Sequence, residues 1–293
     1  MIHSRHLFDQ GHSLSKVPAC LRPFGIVQGR LTVPPAGHLQ WFPQASWREE
    51  FAAAERIGIA FIELLTERDY NPGNPAWSSS GRDEIKAASR STGRELYSIC
   101  TDYIIDHPLL VDAGGETAAH VRKFLEAGAE LGCKVAVFPL LERSNLTPAS
   151  AGAMVPLIKG FARQAAKSGM LICIESLLDG TQLKAFLERV GEPNVKCVFD
   201  TGNRVLGNAD LAPEMRLLGD WIAHVHIKDK NAAGQNVLLG TGKVNFAEVF
   251  TALKEIGYGG PLVFETTRGR DPLETARYHM ATCNFFSREA SLG

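Results

Sequence analysis

Residues 195–200, VKCVFD, and residues 222–227, IAHVHI, are short, largely apolar stretches that carry ionisable side chains at or near their C-terminal ends. Nearly continuous apolarity suits a parallel strand covered on both faces better than a half-exposed one. Working outward, the same pattern recurs at residues 24–31, 61–65, 95–100, 135–140, 171–175 and 262–266, so eight strand-like runs are present. Between them lie amphipathic stretches, several closing on a residue pair and a glycine: Arg56-Ile57-Gly58, Glu130-Leu131-Gly132, Lys167-Ser168-Gly169 and Glu255-Ile256-Gly257. Glycine there fits the left-handed C-cap that turns a helix toward the next strand. Asn245 followed by Glu248 reads as an N-cap and capping box. Gly58 and Gly257 stand six units apart at about 33 residues per unit, close to one βαβ step. Eight alternating units predict an α/β fold, a single (β/α)8 TIM barrel over residues 24–293, with residues 1–23 as an N-terminal extension. A doubly wound open sheet competes, but it requires a GxGxxG fingerprint after an early strand. None is present, and Gly240-Thr241-Gly242 comes late and is too short for that motif or a P-loop.

Lys plus Arg number 31 against 32 Asp plus Glu, a net charge of -1 that offers no global field for nucleic acid or an anionic membrane. It leaves room for a small basic pocket. The six cysteines (Cys20, Cys100, Cys133, Cys173, Cys197, Cys283) are scattered without a CxxC pair, which fits a reduced, cytoplasmic protein. Residues 1–23 are polar, carry His3, His6 and His12, and lack a signal-peptide pattern. No apolar run approaches the ~20 residues needed to cross a bilayer. The expected partner is a small molecule, with no nucleic acid and no membrane; a homo-oligomer is left open.

Two longer connections, residues 32–46 and 69–81, follow the first two strands and are expected to wall an active site. Charge recurs at strand ends: Glu63, Glu142, Glu175, Asp200, His226 and Glu265. Singly, a strand-end glutamate is a salt bridge or a cap, and a lone His224 or His226 is a core histidine. Repeated on strands 5 to 8 of a barrel, such groups converge on one mouth and repel each other unless a divalent cation joins them. Carboxylates with one imidazole suit Mn2+, Mg2+, Co2+, Fe2+ or Zn2+ and not a thiolate-rich structural site.

Glu175 in ICIES, Asp200 in FDTGN, His226 in HVHIKD and Glu265 in VFET resemble the metal quartet of the xylose isomerase-like barrels. The resemblance spans residues 24–290. HIKDKNAAGQNVLLGTGKVNFAEVFTALKEIGYGGPLVFE is similar in layout to the L-ribulose or L-xylulose 5-phosphate 3-epimerase branch, and VQGRL resembles other sugar-phosphate isomerase/epimerase relatives. It implies one divalent metal held by Glu175, Asp200, His226 and Glu265, with Glu175 and Glu265 also the acid/base pair. His224 would lie one layer deeper. Free-sugar 3-epimerases carry a histidine and an arginine where this chain has Asn203 and Ala232.

The expected activity is isomerisation or epimerisation of a sugar or sugar phosphate through a cis-enediolate, one glutamate removing the proton and the other returning it. Glu142, Asn203, Lys228 and Arg268 are the expected substrate contacts. Lys228 and Asp229 either orient hydroxyls or pair with each other at the rim. Arg268, Arg270, Lys228, Lys230 and the N–H groups of Gly240-Thr241-Gly242 are expected anchors for a phosphate. Two alternatives are an inosose dehydratase-like lyase and a sugar-binding barrel without catalysis. An apurinic-site endonuclease is disfavoured, because Asn203 and Asn231 stand where a trinuclear zinc site needs histidines.

Overall fold

The computed structural model describes residues 23–35, 39–112, 115–207 and 210–292, so all but the last residue of the expected N-terminal extension lies outside the described residues. β1 (Phe24–Val27) is followed by β2 (Phe61–Thr66), β3 (Ser98–Thr101), β4 (Val135–Leu140), β5 (Leu171–Ser176), β6 (Val195–Asp200) and β7 (Ile222–Ile227). A two-stranded hairpin, β8 (Asp229–Lys230) and β9 (Asn236–Val237), precedes the last barrel strand, β10 (Leu262–Phe264). The eight parallel strands close in the order β1-β10-β7-β6-β5-β4-β3-β2, which is the (β/α)8 barrel that the sequence predicts.

Helices α1 (Trp47–Ile57), α2 (Ser79–Thr92), α4 (Glu116–Leu131), α5 (Pro148–Ala166), α6 (Gly180–Val190), α8 (Ala212–Leu218), α9 (Phe246–Glu255) and α10 (Pro272–Leu292) follow successive strands. Short turns of helix, α3 (Tyr103–Asp106) and α7 (Thr201–Arg204), sit directly on the ends of β3 and β6. Gly58 and Gly132 are left-handed C-caps, and Gly169 and Gly257 take the same positive φ just beyond their helix ends. Asn245 caps α9 by accepting from the Glu248 N–H at 3.4 Å, without the return bond of a capping box.

The main apolar core lies between strands and helices, and includes Phe51, Phe124, Phe138, Phe199 and Phe250. A smaller one fills the barrel axis with Phe61, Tyr97, Val135, Val137, Cys173 and Val198. Phe61 reaches the axis because Gly25 leaves space for it: a Cβ on Gly25 would stand 2.3 Å from the ring. Three strands fall short of their expected runs. β1 stops at Val27 because Gly29 turns at φ +83°, although the Gln28 N–H still bonds to the Glu63 carbonyl. The run at 95–100 pairs regularly only from Ser98, with an isolated bridge at Glu95. β10 ends at Phe264, yet the Glu265 N–H continues the ladder to the Ile227 carbonyl at 3.1 Å. The connection at 69–81 is shorter than expected, since it holds a 3-10 turn (Pro75–Trp77) and α2 starts at Ser79. No described helix is long and apolar enough to cross a membrane.

Candidate active site

Strand β7 sends Val225 and Ile227 outward to the helices and His224 and His226 toward the barrel axis, the alternation that a strand imposes. Glu63 on β2 meets both histidines from across the barrel. Its fully buried carboxylate accepts from Ser98 Oγ (2.7 Å), His224 Nε2 (2.7 Å) and His226 Nε2 (2.9 Å). Burial opposes the charge on Glu63, but the two imidazoles outweigh it and hold the carboxyl well below the usual carboxylate range. Glu63 is therefore the group that orients His226 rather than a member of the mouth cluster. With Nε2–H donated to Glu63, the ring presents Nδ1 toward the strand ends.

There Nδ1 lies 3.2 Å from Glu265 Oε2, 3.8 Å from Glu175 Oε2 and 3.9 Å from Asp200 Oδ2. One potential ligand atom from each of the four residues falls within 4.8 Å of the others. Ligands held roughly 2.0–2.2 Å from one ion are separated by roughly 3–4 Å, and the contacts of His226 Nδ1 at 3.2, 3.8 and 3.9 Å fall in that range, so the donor set could hold a divalent cation. Two atoms bear on it further. Asp200 Oδ2 and His226 Nδ1 are buried without an aligned hydrogen-bond partner; the Lys228 ammonium, 2.9 Å from Asp200 Oδ2, offsets the charge there, while His226 Nδ1 meets no cation.

The segment Asp200-Thr201-Gly202-Asn203 locks this cluster to β7. Asp200 Oδ1 accepts from the Asn203 N–H (2.7 Å), leaving Oδ2 to face the cluster. The Thr201 hydroxyl donates to the Lys228 carbonyl (2.6 Å) and accepts from the Lys228 N–H (2.9 Å). Gly202 lies under the Lys228 stem. Asn203 donates to Glu175 Oε1 (2.7 Å) and accepts from Lys230 Nζ (2.9 Å), so it acts on Glu175 as well as lining the cavity. The Lys228 ammonium stands 2.9 Å from Asp200 Oδ2 and 2.8 Å from Glu265 Oε2.

The two glutamates sit in different fields. Burial, reinforced by Asp200, raises the Glu175 carboxyl to about 7. Burial also opposes ionisation of Glu265, but Lys228 and His226 outweigh it and hold that carboxyl well below the usual range.

Glu175, His226 and Glu265 of the cluster line a cavity of about 920 Å³, with Asp200 beneath them. Glu142 stands at its rim in a left-handed conformation (φ +50°), with its carboxylate gripped by Arg68 Nη1 (2.8 Å) and Nη2 (2.5 Å). Arg268 does not line the cavity. The turn at Gly29 leaves a buried carbonyl that needs a donor, and Arg268 Nε supplies it at 2.6 Å. Asp229 pairs with no rim lysine: fully buried, it accepts from the N–H groups of Gly240 (3.0 Å), Gly242 (2.8 Å) and Val244 (3.0 Å). The Thr241 N–H donates to the Leu238 carbonyl. The expected backbone cradle for a phosphate is thus already occupied by the protein itself. Arg270 is exposed and away from the cavity.

Three residues carry parts of the site that sequence reasoning passed over. Arg30 is almost fully buried, donates to the Thr266 carbonyl (3.0 Å) and Gln40 Oε1 (2.7 Å), and lies 3.4 Å from Glu265 Oε1. Glu50 accepts from the N–H groups of Gly29 and Leu31, which fixes the turn that aims Arg30. Its position was readable: Trp47, Glu50, Phe51 and Ala54 share the buried face of α1. Asp102 follows β3, lines the cavity, and has its carboxyl raised to about 7 by burial and by Glu265.

Fold and cluster together define a (β/α)8 barrel whose strand ends converge on a carboxylate–imidazole site. A family model described as xylose isomerase-like TIM barrel matches residues 51–285, and the chain belongs to that family. L-ribulose 3-epimerase of Methylomonas sp. (strain DH-1) is 28% identical over 236 residues, covering 76% of this chain and 79% of the relative. A putative L-ribulose-5-phosphate 3-epimerase of Escherichia coli (strain K12) is 25% identical over 252 residues, covering 78% and 87%. Among solved structures, a xylose isomerase domain protein from Planctomyces limnophilus superposes with a TM-score of 0.73 at 18% identity, covering 93% of this chain and 99% of that one.

Proposed function

We propose that this chain is a divalent-metal-dependent ketose epimerase or isomerase that moves a proton between Glu175 and Glu265 through a cis-enediolate. The convergence of Glu175, Asp200, His226 and Glu265, with His226 Nδ1 left without an aligned partner, carries the proposal. The named activities of the two epimerase relatives support it.

A bound divalent ion would act as a Lewis acid, making the C–H beside a ketose carbonyl more acidic. The chain's own groups do the rest. Glu175 on β5 and Glu265 after β10 flank β6 and β7 in the barrel order, so their carboxylates approach a sugar on the cavity floor from different directions. One takes the proton from carbon, and the other delivers a proton to the opposite face or the neighbouring carbon. Asn203 holds Glu175 and Arg30 lies beside Glu265, which fixes both carboxylates for that exchange. Lys230, held by Asn203 at the cavity, is placed to steady a sugar hydroxyl.

The substrate class is an unphosphorylated ketose. The N–H groups of residues 240–242 are spent on Asp229 and Leu238, and Arg268 is spent on Gly29. Incubation with ketoses in D2O tests the reaction. Solvent deuterium at the reacting carbon, lost together with bound metal in Asp200→Ala and His226→Ala, is expected. Metal content unchanged in both variants would refute the site.

A further inference from the structure

We infer that Lys228 is a built-in counter-cation of this site, which holds the carboxylates together in the metal-free protein and must be displaced toward the cavity when a divalent ion binds. The inference rests on the metal reading proposed above and adds a role for a residue outside the ligand set.

The placement of Lys228 is specified by its surroundings. Its side chain is about 5% exposed, and its ammonium lies 2.9 Å from Asp200 Oδ2 and 2.8 Å from Glu265 Oε2. Those two oxygens are also the ones nearest His226 Nδ1 on their side chains. The ammonium and a divalent ion therefore compete for the same acceptors. The backbone of Lys228 is fixed at both polar atoms by the Thr201 hydroxyl. Its stem passes over Gly202, where a Cβ would stand 2.7 Å from Cγ, 2.8 Å from Cβ and 2.9 Å from Cδ. The residue after the ligand Asp200 thus clamps the lysine, and the next one leaves space for it.

Electrostatics gives the arrangement its purpose. Glu175 and Asp200 are buried and Glu265 partly so, close together, and without a cation such a group repels itself and destabilises the barrel mouth. The ammonium supplies that charge in the absence of metal. A divalent ion brings a larger charge to the same oxygens and repels the ammonium, and Lys228 lines the cavity into which it can swing. There it becomes a cationic donor beside the substrate.

The test measures metal binding and metal-free stability in the full chain, comparing wild type with Lys228→Met and Gly202→Ala. After dialysis against EDTA, Lys228→Met is expected to melt below wild type by several degrees, while binding Mn2+ at least about tenfold more tightly by calorimetry, a difference of about 1.4 kcal/mol. Gly202→Ala keeps the charge but pushes the stem aside. It should shift both readouts in the same directions by less, which keeps the inference open to refutation if Lys228→Met fails to fold. Equal Mn2+ affinity in wild type and both variants would overturn the role of Lys228 while leaving the metal reading intact. No Mn2+ uptake by any of the three proteins would overturn both.

Discussion

Two layers of ionisable side chains cross the inside of this barrel, and they use nearly the same residue types to opposite ends. In the deeper layer, Glu63 receives bonds from Ser98, His224 and His226, and its carboxylate has no unmet demand. In the upper layer, His226 Nδ1 is buried without an aligned partner, and three carboxylates crowd one imidazole, two of them sharing the Lys228 ammonium. The contrast teaches that residue identity does not separate support from chemistry; hydrogen-bond saturation does. A buried carboxylate saturated by hydrogen bonds fixes geometry, whereas one held by a displaceable ammonium keeps acceptors for a metal ion. His226 belongs to both layers, with Nε2 anchored below and Nδ1 presented above.

The hardest blow to this contrast falls on the upper layer. Glu175→Gln and Glu265→Gln should each lower kcat by about 10²–10⁴-fold, the range of a lost general acid or base, while both variants remain folded. Steady-state rates with melting curves on the same samples check this. Near-normal turnover in either variant would remove the distinction between the layers. One tier down, Glu63→Gln should act through His226. The amide retains one acceptor oxygen but turns an NH2 group toward a donor, so metal affinity should fall about 10–100-fold, as for other lost ligand-orienting groups. Folding stability should fall with it by about 1–3 kcal/mol. A Glu63→Gln protein with unchanged metal affinity would show that the deeper layer does not set the geometry of the upper one.

The sequence displayed the upper layer more openly than the deeper one, for a physical reason. Glu175, Asp200 and Glu265 each interrupt an apolar strand at its C-terminal end, where barrel topology alone brings them together. Glu63 interrupts FIELL in mid-strand, so its partners depend on the register of strands far apart in sequence. The loops were least legible. Asp229 looked like a rim group because it follows Lys228, but the hairpin folds three N–H groups of residues 240–244 back onto it. Arg268 looked like an anion anchor for want of any sign that the turn at Gly29 would leave a carbonyl unpaired. The eight strands themselves were readable because parallel strands buried on both faces need uninterrupted apolar runs.

The same criterion applies at the loop of residues 238–244, where saturation resembles the deeper layer. Donors already committed to Asp229 gain little from a phosphate. A phosphorylated ketose should therefore react with a kcat/KM at least about tenfold below that of the free ketose, the equivalent of one unmet charge-assisted bond of about 1.5 kcal/mol. Parallel assays of a ketopentose and its 5-phosphate decide it, and a preference for the phosphate would mean that the saturated loop rearranges.

The smallest effect concerns a histidine outside both layers, and it sharpens the criterion from the other side. His279 on α10 is fully buried, packs against the Phe264 ring, and has no carboxylate partner, only the Thr267 backbone beside it. Unlike His226, it has no nearby anion to favour the imidazolium, so burial lowers its pKa to about 4 from 6.5. The ring is neutral in the folded chain while the unfolded chain takes up a proton below 6.5. Its contribution to stability is therefore fully present above pH 6.5 and is lost as pH falls toward 4. Replacing it with phenylalanine keeps the ring packing and removes the titration. The difference in unfolding free energy, wild type minus His279→Phe, should fall by up to about 1.4 kcal/mol per pH unit across that window. Urea unfolding at pH 7.5, 6 and 5 measures it. A pH-independent difference would show that His279 finds a partner on protonation, and that an unpaired ring nitrogen in this barrel does not by itself distinguish a neutral packed histidine from one that awaits a cation.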